Sequence, residues 1–155
     1  MKIFCVGRNY AEHARELNNE IPEEPVIFLK PKSALVLPNV HFYYPNFSNE
    51  LHYEAELVLH VSKNGKYIPE YAAAHYFDAI TVGIDFTARD VQQELKKKGL
   101  PWEKAKAWDN SAVAGTWVEA THDIIKNPIH FSMQMNGETV QRGVSTDMIF
   151  SFERI

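Results

Sequence analysis

LHYEAELVLHV, residues 51–61, decides how this chain reads. Leu51, Tyr53, Ala55, Leu57 and Leu59 alternate with His52, Glu54, Glu56, Val58 and His60. A period of two marks a strand with one apolar face. Side chains two apart on a strand point the same way, so Glu54 and Glu56 share the other face. Two neighbouring carboxylates repel each other and resist leaving water. Either this face is solvated, or something positive lies against it. Asp85, in TVGIDFTARDVQ (residues 81–92), is a third acid in a segment that reads as buried strand. Three acids from neighbouring strands would make an all-oxygen site for a hard divalent cation, Mg²⁺ or Mn²⁺ first, with Ca²⁺ as a stand-in. Spacing alone leaves a plainer alternative open. The glutamates would then face solvent, and Asp85 would cap the helix that begins near Ala88.

Outward from that strand, the chain alternates short β and α signals. MKIFCVG (1–7) reads as a strand ended by Gly7. Asn9 is placed to cap a helix through Leu17, with Tyr10, Ala14 and Leu17 at helical spacing. PVIFLKP (25–31) is strand-like, and Pro38 and Pro45 break the following apolar stretch into short or edge strands. Asn64-Gly65 is a turn signal. PEYAAAHYFDAI (69–80) reads as a helix, AITVGIDFT (79–87) as a buried strand, and ARDVQQELKKKG (88–99) as a helix stopped by Gly99. Residues 101–116 lack periodicity and read as an ordered loop. IHFSMQMNGETVQRG (129–143) is a hairpin turning at Asn136-Gly137. The closing MIFSFERI (148–155) reads as the start of a further element.

Composition narrows the class. The chain has 155 residues, 45% hydrophobic and 23% charged, which suits one globular domain with a real core. A net charge of −4 favours neither nucleic acid nor an anionic membrane. Lys96 to Lys98 form the only basic run, read as the solvated end of a helix. The single cysteine, Cys5, rules out an internal disulfide framework and reads as a buried strand residue. MKIFCVGRNY turns polar too early for a signal peptide, and no apolar run would span a bilayer. The expectation is a cytoplasmic protein.

Other residues invite chemistry, each with a plainer alternative. His13 and Glu16, three apart on a predicted helix, can meet as an oriented general base or form an exposed pair. Arg89 could hold a carboxylate in bidentate fashion, whereas Asp90 is equally a helix-start acid. Lys106, on the loop after that helix, could stabilise an oxyanion beside a metal or be an ordinary loop lysine. Lys30 reads as a stem packed along the sheet with its head at a rim. His52, His60, His75, His122 and His130 have no metal-type spacing and read as structural or surface residues. Phe42, Tyr43 and Tyr44 read as core or interface. Phosphate loops, nucleophile elbows and Cys/His zinc patterns are absent from the sequence.

Taken together, CVGRNYAEHARE (5–16), PVIFLKPKSAL (25–35), LHYEAELVLHV, GIDFTARDVQQELKKKGLPWEKAKAWD (83–109) and NGETVQRGVSTDMIFS (136–151) resemble the fumarylacetoacetate hydrolase family, in particular its small acylpyruvase-like and oxaloacetate decarboxylase-like members. The stretches run in family order across nearly the whole chain. The resemblance implies an α+β, β-rich fold. This is a mixed, rolled-up sheet with short flanking helices, forming one catalytic domain over residues 1–155 and a homodimer. It implies that Glu54, Glu56 and Asp85 bind the metal, that His13 and Glu16 form a lid dyad that activates water, and that Lys106 is the catalytic lysine. Arg89 and Gln92 match residues that bind substrate or support the site. Relative to the family pattern, NSAVAGTW (110–117) lacks the usual Gly-Pro-rich stretch. The chain also ends after MIFSFERI, without the closing strands and Thr-Gly-Thr-Pro loop, so a C-terminally truncated family member is expected.

The activity so implied is cleavage of a carbon–carbon bond in an acylpyruvate-like β-diketo acid, through an enolate stabilised by a divalent metal. The alternatives are oxaloacetate decarboxylation or tautomerisation, and isomerisation of an unsaturated oxo-diacid of the 2-hydroxyhepta-2,4-diene-1,7-dioate type. An alternative of another class is a catalytically silent metal-binding fragment. The expected partner is a small 2-oxo acid.

Overall fold

The computed structural model describes residues 1–11, 21–37 and 40–155. The helix expected from Asn9 to Leu17 falls almost wholly outside these residues, and His13 and Glu16 fall outside with it. The strands are β1 (Ile3–Gly7), β2 (Val26–Lys30), β3 (Leu51–Val61), β4 (Phe77–Ala88), β5 (Ala112–Ala114), β6 (Val118–Glu119), β7 (His130–Met135) and β8 (Glu138–Val144). β1 pairs with β2, β3, β4 and β5 lie side by side in that order with β6 also on β4, and β7 pairs with β8. Short helices cover Glu70–Ala73, Arg89–Lys97, Glu103–Lys106 and His122–Lys126. The fold is α+β and sheet-rich, as the resemblance implies.

Several local expectations are met for the stated physical reasons. The LHYEAELVLHV alternation is a single eleven-residue strand. The Asn136-Gly137 hairpin turns with φ of 54° and 86°, the left-handed pair that a two-residue turn requires. The Arg89–Lys97 helix carries Asp90 in its first turn and Lys96 and Lys97 in its last, matching the helix dipole, and Gly99 follows at φ 63°.

Other expectations are corrected. Only Glu70–Ala73 of the predicted 69–80 helix is helical, and Phe77 to Ile80 belong to β4. The alanine-rich local preference yields there to strand pairing, with Ala79 and Ile80 opposite Glu119 and Val118 of β6. Asn64-Gly65, a turn signal in the sequence, forms no hydrogen-bonded turn. A Cβ there would lie 2.4 Å from Ile68 Cδ1 and 2.5 Å from Tyr76 Cε1, so this glycine serves close packing. Residues 101–116 are not all loop, since they hold the Glu103–Lys106 helix and β5. The helix that Asn9 is expected to cap lies almost wholly outside the described residues; the Asn9 side chain accepts from Phe150 N at 2.8 Å and donates to Phe150 O at 3.1 Å. The closing stretch MIFSFERI forms no strand or helix of its own. Cys5 is only partly buried on β1.

The described chain forms two compact units. One comprises Met1–Cys5, Ile27–Glu56 and Gly83–Gly115, and the other Val6–Val26, Leu57–Val82 and Thr116–Ile155. In the second, Ile80, Phe131 and Phe150 are buried. The first has an unusual interior. Its buried apolar residues are the small Ala34, Ala55, Ala88, Ala105 and Ala112, and beside them are buried Lys30, Asp85, Thr87, Arg89, Gln92, Lys106 and Ser111. Charged side chains are almost never buried unless paired. The polar interior of this unit is therefore where function is sought.

Candidate active site

Four elements supply the acids and their nearest partners, and β2 adds Lys30. β3 supplies Glu54 and Glu56, and β4 supplies Asp85 and Thr87. The helix that follows β4 directly supplies Arg89 and Gln92, and the Glu103–Lys106 helix supplies Lys106. Antiparallel pairing of Asp85 with Ala112, Ile84 with Val113 and Gly83 with Ala114 sets the β4 register at the cluster.

Lys106 stands at its centre. Its ammonium donates to Glu54 Oε2 at 2.5 Å and to Asp85 Oδ2 at 2.7 Å. Burial alone would push this ammonium down, but Asp85 and then Glu54 outweigh burial and hold it above the ordinary lysine range. Lys106 is thus a buried cationic donor held between two carboxylates. Its Nζ also lies 5.3 Å from the centre of the Phe28 ring.

Glu54 is gripped from three sides. Arg89 NH2 donates to its Oε1 and Thr87 Oγ1 donates to its Oε2 at 3.1 Å, besides the bond from Lys106. Arg89 NH1 in turn donates to Gln92 Oε1 at 2.5 Å. The two residues matched to substrate binding or site support thus hold each other, and Arg89 holds Glu54. Asp90 has a structural place. It accepts from Ser48 Oγ at 2.6 Å and Asn49 N at 2.9 Å, pinning the loop that enters β3.

Lys30 is the residue that sequence reasoning placed wrongly. Its side chain is 1% exposed, not at a rim, and its Nζ lies 2.8 Å from Asp85 Oδ1. It donates to the carbonyl of Lys106 and to Ser111 O and Oγ at 3.0 and 3.1 Å. Burial pushes its pKa below the ordinary lysine value, against the opposing pull of Asp85. A conventional lysine–proline step gives no local sign of this. The partners lie 76 and 81 positions away. Cys5 is influenced by the same cluster, and burial first, then Asp85, push its thiol up to about 12.

The donor set suits a hard divalent ion. Glu54 and Asp85 converge on one cation, and Glu56 follows two residues along the same strand. Asp85 Oδ1 is buried, with the Lys30 ammonium 2.8 Å away. Buried carboxylate oxygens held by ammonium groups are the donor type that a hard divalent ion also takes. Among the described residues, no three His, Cys, Asp or Glu side chains already stand together as a ligand group. Lys106 bridges two of the three candidate acids instead. His13 and Glu16 lie outside the described residues.

Comparison with known proteins decides the kinship. The model of the fumarylacetoacetate (FAA) hydrolase C-terminal family matches residues 2–155. The chain belongs to the fumarylacetoacetate hydrolase family. Among curated relatives, the mitochondrial oxaloacetate tautomerase FAHD1 of Mus musculus is 40% identical over 153 residues, covering 99% of this chain and 69% of the mouse protein. Its namesake in Arabidopsis thaliana is 39% identical over 151 residues, covering 96% and 67%. Among solved structures, a Pseudomonas aeruginosa fumarylpyruvate hydrolase in complex with Mn²⁺ and pyruvate superimposes with a TM-score of 0.90 at 36% identity, covering 99% of this chain and 68% of that one. A 5-carboxymethyl-2-hydroxymuconate delta-isomerase of Mycobacterium smegmatis gives a TM-score of 0.80 at 33% identity, covering 99% and 59%. Within this family the names therefore include a tautomerase, a hydrolase and an isomerase. No helix among the described residues is long and apolar enough to cross a membrane.

Proposed function

We propose that this chain carries the site of a divalent-metal-dependent enzyme acting on a small 2-oxo acid, with oxaloacetate tautomerisation as the first reading. The observation that carries it is the buried bridge from Lys106 to Glu54 and Asp85. Glu54, Glu56 and Asp85 would hold Mg²⁺ or Mn²⁺. When bound, such an ion supplies Lewis-acid polarisation of the 2-oxo carbonyl.

The chain's own residues do the rest. Lys106 offers a fixed positive charge where the carbonyl oxygen becomes an enolate oxygen, in a site where charge is poorly screened. Arg89 and Thr87 orient Glu54, and Lys30 steadies Asp85. The formal charges of Glu54, Glu56 and Asp85 cancel those of Lys30, Arg89 and Lys106. A divalent ion would then leave a surplus suited to a dicarboxylate such as oxaloacetate. His13, with Glu16 as its expected dyad partner, is the candidate to move the proton at the carbon beside the carbonyl.

Sequence reasoning ranks hydrolysis first. The relatives named oxaloacetate tautomerase, at 39–40% identity, favour tautomerisation. Hydrolysis of an acylpyruvate-like acid stays as the second reading, favoured by the fumarylpyruvate hydrolase with pyruvate bound. There, water adds to the distal carbonyl, the bond between the two carbonyl-bearing fragments breaks, and the electron pair leaves on the pyruvate enolate, which takes up a proton. A homodimer in a reducing compartment completes the proposal. The exposed Ile27 and Leu29 of β2 support association, and the lone cysteine supports the compartment.

The test is the full chain with Mn²⁺. Faster decay of the enol absorbance of oxaloacetate supports the first reading, and pyruvate released from acetylpyruvate supports the second. His13→Ala should depress either rate while leaving Mn²⁺ affinity nearly intact. Stoichiometric Mn²⁺ with no effect on either substrate, and no carbon dioxide from oxaloacetate, would overturn both readings in favour of a silent metal-binding chain.

A further inference from the structure

We propose that His52 is a positioning residue for Glu54, acting through Arg89, and that Glu50 sets the tautomer in which it acts. The inference rests on the reading of Glu54 as a metal ligand. Nothing in the sequence pattern singles His52 out, because it sits on the polar side of β3 like any solvated strand residue.

The argument is one of donors and acceptors. Arginine has only donors. Arg89 Nε lies 3.1 Å from His52 Nδ1, so that nitrogen must present its lone pair. The ring proton then resides on Nε2, which lies 3.1 Å from the Glu50 carboxylate. One arrangement of protons satisfies both contacts at once, and it makes His52 a directed acceptor for the guanidinium.

The geometry gives this acceptor leverage. Arg89 is held at three points: Nε by His52, NH1 by Gln92 and NH2 by Glu54. A planar guanidinium fixed at Nε and NH1 has no freedom to rotate, so NH2 is aimed at Glu54 Oε1. Without the His52 acceptor, one in-plane constraint is gone and Glu54 loses a fixed partner. The frame is reinforced from the backbone, since Arg89 N donates to Glu50 O at 2.7 Å. Arg89 is 6% exposed, whereas the side chains of His52 and Glu50 are 42% and 49% exposed. A solvent-facing pair thus reaches a buried carboxylate through one arginine. Partners that orient a metal ligand in this way typically change metal affinity by about 10–100-fold.

The test uses Mn²⁺ titration of the full chain, followed by electron paramagnetic resonance at a temperature where every variant is folded. His52→Leu, which keeps bulk and removes the acceptor, should weaken Mn²⁺ binding about 10–100-fold. His52→Asn places its amide oxygen near the position of Nδ1 and should restore most of the loss. A merely structural role would not give that rescue. In the wild-type chain, ¹⁵N NMR at about pH 8, above the ordinary histidine range, should find the proton on Nε2. Three results overturn the inference alone: unchanged Mn²⁺ affinity in His52→Leu, equal loss in His52→Asn, or a proton on Nδ1. A wild-type chain that binds no Mn²⁺ overturns the functional reading as well.

Discussion

Lys106 Nζ lies 2.7 Å from Asp85 Oδ2, with the two side chains 4% and 11% exposed. The same ammonium reaches Glu54, so one cation holds together two acids that would otherwise repel. Removing one partner of a buried ion pair costs about 3–5 kcal/mol, because the charge left behind has no water to replace it. Lys106→Met should therefore lower the metal-free stability by that order, measured by urea unfolding. Added Mn²⁺ should recover much of the loss and bind more tightly than in the wild type, since no ammonium competes for the acids. Turnover should nevertheless fall about 10²–10³-fold, the usual cost of losing a donor to a developing oxyanion.

Asp90 ties the entry of β3 to the start of the following helix. The Ser48 hydroxyl, then the Asn49 N–H, hold its carboxyl below the ordinary aspartate range. A depressed carboxylate stabilises the fold fully above the ordinary value and loses that contribution as pH falls through the lowered one. Asp90→Ala should cost about 0.5–1.5 kcal/mol near neutrality, the usual net worth of a hydrogen-bonded side chain. Melting curves across an acid series should show the gap between wild type and variant closing well below the ordinary value of 3.8.

The residues of this cluster also show what a sequence can and cannot carry. The Glu54–Glu56 face was legible because a strand period of two is local, and the Asn136-Gly137 hairpin was legible because its turn demands positive φ. The helix start at Arg89 was legible from the change of period after Thr87. Lys106 was legible only through kinship, because its helix is four residues long and shows no periodicity. Lys30 was misplaced because its burial depends on carbonyls supplied by Lys106 and Ser111, far along the chain. Arg89 was identified, but its engagement with Glu54, Gln92 and His52 is a property of packing between two elements, not of spacing within one.

Cys5 offers a probe that leaves the cluster intact. Burial, then Asp85, raise its thiol to about 12, so the nucleophilic thiolate is scarce at neutral pH. A disulfide reagent at about pH 8, near the ordinary cysteine value, should react slowly with the native chain and rapidly in urea. A native rate equal to the unfolded rate would show the thiol to be exposed and ordinary. The sign for stability follows from the raised value: the folded chain loses ground as pH rises above the ordinary thiol range, because the unfolded state ionises first.

The most direct test of the central claim is Mn²⁺ binding and oxaloacetate enol decay measured on the same samples of wild type and Glu56→Gln. Lys106 bridges Glu54 and Asp85, so substituting Glu56 keeps both carboxylates of that bridge. The account predicts one tightly held Mn²⁺ per wild-type chain and acceleration of enol decay, with both lost together in Glu56→Gln while the variant stays folded. Mn²⁺ binding of unchanged affinity in Glu56→Gln would contradict it.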